Sequence, residues 1–388
     1  MTEFIESFAT QQLLPPWDAQ GAQTWGFVVR MTEHRIREYL DAYFNGDYPD
    51  RAPFHYQPLP VHQFGLVGVA HFPNVSSQNK RTAGRLGATE TNWDHLQHTE
   101  VYLSFPVLRY ALSKDNLLSD PILVWVEPFI YSDNDSVVFS SREIWGSDMY
   151  LGSITRQVGG PLHQLHLDLG MIGIKSFSPR SMSELLAVLH VQTGGDSQSP
   201  VQELVKGKPG LEDFIRILGG SGAFAAAMPE GIGPSPYAGG VELHNLKQFR
   251  DCYNMGAAIY RAIVASKTTH TEVDNIVLFD PSKVELAFMW SDSIGELLTT
   301  LFDVKRPTDM MAPLAHRLPA GAAKLTSPVQ TFAGPPPDRF HMPLPASPTD
   351  FDWNMDRVEL EVEFAFSFSS NAHFEVIGTI HTYGLTPA

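Results

Sequence analysis

The chain has 388 residues, 43% of them hydrophobic and 11% aromatic, which is enough apolar surface for a sizeable buried core. Its 27 Lys and Arg against 43 Asp and Glu give a net charge of −16, which argues against nucleic acid or an anionic membrane as partner, because a phosphate surface would repel it. A single cysteine, Cys252, excludes an intrachain disulfide and any CxxC motif. No run of about 18 apolar residues is long enough to span a bilayer. The acidic start, Met1 to Glu6, lacks the pattern of a signal peptide, so a cytoplasmic location is expected.

In chain order, residues 1–24 read as an irregular arm, with Pro15 and Pro16 opposing regular structure. Thr24 to Arg30 (TWGFVVR) reads as a short strand. A helix follows, because Ile36, Tyr39, Leu40, Tyr43 and Phe44 fall at i, i+3, i+4, i+7 and i+8, and Asn45-Gly46 ends it. From 61 to 146 the text is rich in strand patterns: VHQFGLVGVAHF, TEVYLSFPVLRY, ILVWVEPFIY and VVFSSREIW. Asp133-Asn134-Asp135 between the last two predicts a hairpin turn. Ser181-Met182-Ser183-Glu184 predicts a capping box opening a short helix. Two stretches, 192–240 and 305–350, are rich in turn residues, the second holding ten of the 29 prolines; both read as insertions or long ordered loops. In 358–368 (VELEVEFAFSF), Val358, Leu360, Val362, Phe364, Phe366 and Phe368 alternate with Glu359, Glu361 and Glu363, which predicts a strand. Ser369-Ser370-Asn371 is expected to turn into a second strand near 373–382. The sum is an α+β protein dominated by antiparallel sheet, one domain over 1–388 with elaborations.

Standard catalytic motifs are missing: there is no GxSxG, GxxxxGK[ST], HExxH or dinucleotide fingerprint, and no cofactor is implied. His163, His166 and Asp168 can be drawn as a metal trio, but positions i and i+3 of a strand face opposite sides, so satisfied or solvated histidines are the preferred reading.

The segment 126–152 carries more. Ser141-Arg142-Glu143-Ile144-Trp145-Gly146-Ser147-Asp148-Met149-Tyr150-Leu151-Gly152 resembles, without a gap, the G-R-E-x-x-G/A-x-P-K-K-L-G strand of the acetoacetate decarboxylase family, which follows a D-N-D/E hairpin like Asp133-Asn134-Asp135. His98-Thr99-Glu100, with Pro106 six residues on, resembles the family's Y-x-E…P strand and places its pocket glutamate at Glu100. Arg30 matches the family's pocket arginine. The resemblance covers about 24–152 and extends to 241–290, where LHNLKQFRD is similar to a strand of longer members; it is absent from the two Pro- and Gly-rich stretches.

The resemblance implies an antiparallel β cone or barrel with flanking helices and long insertions, a homo-oligomer, and a lyase acting on a small carboxylic or keto acid. Relatives form a Schiff base from the first lysine of the K-K pair, an amine made nucleophilic by desolvation or a neighbouring cation; acetoacetate decarboxylase is the standard illustration of that principle. Here those positions are Met149 and Tyr150, and the family's proline is Asp148. A thioether cannot form an imine. A second family carboxylate falls near Gly65.

The surviving groups each have two readings. Arg30 is a structural ion-pair partner or binds a substrate carboxylate or enolate. Glu100 is an acid–base group if it faces inward and a solvated residue if it faces out. Tyr150 donates to a developing oxyanion or is a core aromatic, and Asp148 is an acid–base group or a turn residue. Arg142 and Glu143 read as a structural pair, and His71 and His98 as pocket-rim candidates. The leading expectation is decarboxylation of a β-keto or polyketide-type acid without an imine, the enolate stabilised by Arg30 and Tyr150. Hydration, dehydration, aldol-type or ring-closing chemistry on similar substrates is the second, and a non-catalytic binding protein the third. Imine chemistry from a lysine elsewhere, such as Lys80 or Lys175, cuts across all three.

Overall fold

Alternation in the first strand sets the plan of the molecule. In β1 (Trp17–Arg30), Trp25, Phe27 and Val29 are fully buried on one face while Thr24 looks to the other. The strand starts seven residues earlier than TWGFVVR, so part of the expected arm is regular structure. Helix α1 (Glu33–Tyr43) follows as its periodicity demands and buries Ile36, Tyr39 and Leu40. The computed structural model describes residues 14–46, 52–60, 63–78, 96–159, 164–175, 182–194, 241–250, 258–302 and 357–383. Most of 192–240 and all of 305–350 lie outside them. No helix among the described residues is long and apolar enough to cross a membrane.

The remaining elements are strands β2 (Phe54–Pro58), β3 (Phe64–Ser77), β4 (Leu96–Leu112) and β5 (Leu118–Ser132), helix α2 (Asp135–Ser140), a π-helix (Ser141–Trp145), and strands β6 (Met149–Leu151), β7 (Ser153–Gly159), β8 (Gln164–Gly173), β9 (Glu184–Thr193), β10 (Val241–Arg250), β11 (Ala258–Phe279) and β12 (Val284–Met289). Helix α3 (Gly295–Phe302), β13 (Arg357–Glu359) and β14 (Val362–Thr382) complete the described chain.

The larger sheet runs β2-β4-β3-β1-β14-β11-β10-β5-β6, and β4 also pairs with β5, so seven strands form a closed ring with β2 and β6 at its margins. All ring pairings are antiparallel except β5 with β10. A second sheet, β13-β12-β9-β8-β7, is antiparallel throughout. The main core lies between the outer face of the ring and this sheet. Val67, Val69, Val101, Leu103 and Phe105 of the ring belong to one cluster with Leu167, Leu169, Leu189, Val191 and Phe288 of the second sheet, and α1 and α3 add Leu40, Leu298 and Leu301. Because strand side chains alternate, the residues between these point into the ring.

Three predicted turns and helix starts change. Asn134 does not turn a hairpin: its side chain accepts from the backbone N–H groups of Ser136 and Val137 and caps α2, so SREIW winds as a π-helix instead of extending. The predicted capping box opens no helix, because Glu184–Thr193 is a strand hydrogen-bonded on both edges, by β8 and β12. Ser369-Ser370-Asn371 does not turn. β14 continues through it, since Asn371 accepts from the Gly21 N–H and Ser370 bonds His270 Nδ1 across the ladder at 2.9 Å. A register shift between Val28 and Val29 also breaks the alternation of 358–368: Val362 joins the outer core, whereas Phe364, Phe366 and Phe368 cluster inside the ring.

Candidate active site

The ring encloses a cavity of about 150 Å³ to which all seven of its strands contribute. Its interior is partly filled because small residues face large ones. A Cβ on Gly68 would lie 2.1 Å from the Tyr102 ring, and one on Gly26 2.1 Å from the Phe366 ring, so only glycine admits those aromatics. The walls are mostly apolar, with Phe72, Trp125, Trp145, Phe366 and Phe368 prominent.

Two carboxylates enter this space. β4 presents His98, Glu100, Tyr102 and Ser104 to the cavity while Val101, Leu103 and Phe105 face the core. Glu100 therefore faces inward, and His98 Nε2 lies 3.1 Å from its Oε1. His98 is buried against the Phe72 ring, 4.9 Å between centroids, and its Nδ1 has no hydrogen-bond partner among the described residues. A proton on Nε2 lets the ring donate to Glu100 across this contact.

The second carboxylate is Glu127. The β4–β5 register shifts between Leu103 and Phe105, where Val126-Glu127-Pro128-Phe129 bulges. Pro128 has no N–H to give the ladder, and the extra residue lets Trp125, Glu127 and Ile130 all reach the cavity. Glu127 is half-buried and lines the cavity. Burial, with the charge of Glu100 as a lesser cause, pushes its carboxyl up to about 8. This direction favours the neutral carboxylic acid, a donor. Sequence reading missed it; the available signal was Glu-Pro in the middle of an apolar strand. Gly65, where a second carboxylate was sought, faces the core, since a Cβ there would meet Met31 Sδ at 2.7 Å.

The π-helix closes one side of the cavity through Ser141 and Trp145, followed by Ser147 and Met149. Gly146 turns the chain out of it with φ of 70°, and a side chain there would collide with Lys247. Met149 is 2% exposed and lines the cavity at the position where the resemblance looks for an imine-forming lysine. No lysine or arginine among the described residues lines the cavity. Lys175 lies elsewhere, and Lys80 is outside the described residues.

The other sequence candidates sit apart. The Arg30 side chain is 70% exposed and pairs with Glu363 at 2.9 Å, because the end of β1 emerges from the ring. Tyr150 is 43% exposed and donates to Asp148 Oδ2 at 2.7 Å, under the Arg142 guanidinium; this trio lies outside the cavity lining, since in β6 only Met149 turns inward. Arg142 thus pairs with Asp148 at 3.6 Å, whereas Glu143 offers its backbone carbonyl to Lys247 Nζ. His71 is buried on the outer face of β3, 3.2 Å from Thr99 Oγ1, and burial with nearby Arg156 pushes it down to about 4.

No protein-family model and no curated protein sequence matches the chain. Among solved structures it is similar to acetoacetate decarboxylase from Legionella pneumophila subsp. pneumophila str. Philadelphia 1, with 8% identity and a TM-score of 0.43 over 95% of this chain and 88% of that one. It is also similar to the protein of a structural study of acetoacetate decarboxylase, with 11% identity and a TM-score of 0.43 over 97% of this chain and 96% of that one.

Proposed function

We propose that the chain is an acid–base enzyme on an acetoacetate-decarboxylase-like β barrel, and that it moves a proton at the carbon beside a carbonyl of a neutral, largely apolar compound. One observation carries this reading: the ring cavity holds two carboxyl groups in different settings, Glu127, whose burial favours the neutral donor form, and Glu100, hydrogen-bonded to His98. Glu127 gives its proton, or a hydrogen bond, to the carbonyl oxygen. Glu100 takes the proton from the neighbouring carbon, and the electrons of that C–H bond form the enol. The enol then collapses by loss of a β-hydroxyl as water or by ring closure, both among the second set of chemistries anticipated from sequence, or by reprotonation at another carbon.

The lining favours such a ligand. The walls are largely aromatic, Trp125, Trp145, Phe366 and Phe368 among them, which suits an apolar ligand. A β-keto acid is the second reading, favoured by the sequence resemblance around Glu100 and Met149. It ranks lower because no described cation lines the cavity to hold a carboxylate, and Arg30, assigned that task from sequence, is on the surface.

The test is α-hydrogen exchange in D₂O, followed by NMR, with a panel of neutral aryl ketones and 1,3-diketones, beside CO₂ release from β-keto acids. Exchange that Glu100→Gln lowers by about 100-fold or more, with CO₂ release at the spontaneous rate, is the expected result. CO₂ release that depends on Glu100 would establish the second reading instead. Binding without exchange or CO₂ release would overturn both and leave a ligand-binding protein.

A further inference from the structure

We infer that the outward face of the five-stranded sheet carries a site for a divalent first-row transition metal, formed by His166, Asp168 and His190. His166 and Asp168 are two residues apart on β8, so they share a face, and the β8–β9 register places His190 directly opposite Asp168. Their neighbours Leu165, Leu167, Leu169, Leu189 and Val191 fill the core on the other face. The objection that applied to His163 and His166, three apart on one strand, does not apply to a ligand set completed from the adjacent strand; His163 lies outside the described residues.

The distances suit a single ion. His166 Nε2 is 3.3 Å from Asp168 Oδ2, His190 Nδ1 is 2.7 Å from Asp168 Oδ1, and one donor atom from each residue lies within 4.8 Å of the others. Ligand atoms about 2 Å from a common metal are separated by about 3 Å. Asp168 and His190 are only 15% and 14% exposed, so this is a partly enclosed cluster and not three solvated surface groups.

An outer partner orients one ligand. His190 Nε2 lies 3.4 Å from Glu285 Oε1, and Arg357 holds that carboxylate in turn. A carboxylate beside Nε2 can accept its proton when Nδ1 ligates a metal, the arrangement that metal-binding histidines adopt. In the metal-free chain His190 Nδ1 and Asp168 Oδ1 share a hydrogen bond at 2.7 Å, which a bound metal would replace by ligating both atoms. Two imidazoles and a carboxylate, with no thiolate, suit Zn²⁺, Co²⁺, Ni²⁺ or Fe²⁺ better than Mg²⁺ or Ca²⁺. None of the three residues lines the ring cavity, so the site stands independently of the proposed acid–base chemistry. A bound ion clips β8 to β9 and stabilises the folded chain by mass action.

The experiment is calorimetric titration of the chelator-stripped full chain with Zn²⁺, with the visible absorption of added Co²⁺ as second readout. Binding of one equivalent, weakened about 10-fold or more by His166→Gln and by Asp168→Asn but unchanged by His34→Ala on the exposed side of α1, is the expected result. The partly exposed His166 makes its variant the safer of the two for folding, and the Co²⁺ spectrum reports the ligand set in the unaltered chain. Absence of binding, binding that both site variants leave unchanged, or a Co²⁺ spectrum with no imidazole ligation would overturn the site.

Discussion

At the scale of single residues, a strand interrupted by Glu-Pro is what gives the cavity its second carboxyl. Glu127 also makes stability depend on pH. Its carboxyl is raised from 4.5 unfolded to about 8 folded, so the folded chain binds more protons than the unfolded chain between those values. The contribution of the neutral group is fully present below about pH 4.5, declines as pH rises, and is gone above about 8. Glu127→Gln, which stays neutral at every pH, should therefore gain stability over the parent as pH rises from 5 to 8.5, by an amount on the order of a few kcal/mol. Denaturant titrations of both proteins at the two pH values check this. A difference that does not change with pH would mean that Glu127 is ionised in the folded chain. The same variant should lose activity if Glu127 is the acid, whereas Tyr150 and Asp148, bonded to each other outside the cavity, have no comparable leverage.

At the scale of elements, the ring interior depends on glycines facing aromatics. Gly68 on β3 pairs with Tyr102 on β4, and the phenol ring lies over the bare Cα. Gly68→Ala should cost about 1–3 kcal/mol, because the added methyl must displace the Tyr102 ring within a closed strand pair. Adding Tyr102→Leu should restore part of that loss, read as non-additivity in a double-mutant cycle by chemical denaturation. A second polar arrangement joins elements on the outer side of the ring. Tyr56 O–H meets His244 Nδ1 at 2.8 Å and His244 Nε2 meets Glu242 at 2.7 Å, all three buried, tying β2 to β10. It lies outside the cavity lining and acts as a satisfied buried network.

At the scale of the whole molecule, the ring and the second sheet share one core. Phe288 of β12 is fully buried and meets the Phe129 ring edge-on at 5.6 Å, across the boundary between the two sheets. Phe288→Ala should cost about 3–5 kcal/mol, and both sheets should still lose structure in one transition because they share the main core. Coincident far-ultraviolet circular dichroism and tryptophan fluorescence curves check this; two separated transitions would show that the ring holds without the second sheet. The cavity lies on the other side of the ring wall from this contact, so the shape of the site rests on a core that the ligand never touches.

Local alternation alone determined a good deal. Val101, Leu103 and Phe105 against Glu100 and Tyr102 already fix two faces of β4, and the spacing of Ile36, Tyr39 and Leu40 already marks α1, because period 2 and period 3.6 are local consequences of backbone geometry. Which face of a strand is the inside of a ring is not local. Arg30 and Glu100 looked equally eligible for a pocket, but the ladder carries Arg30 out to solvent and holds Glu100 within. Bulges and capping overrode the pattern at Glu127-Pro128 and at Asn134, because one extra residue in a strand reverses every later side chain, and one side-chain acceptor turns a predicted hairpin into a helix start. The pairing of His190 with Asp168, 22 residues apart, was likewise decided by strand register alone. Sequence set the chemistry available to each strand; closure of the ring, a matter of long-range hydrogen bonding and shared burial, decided which of those groups meet.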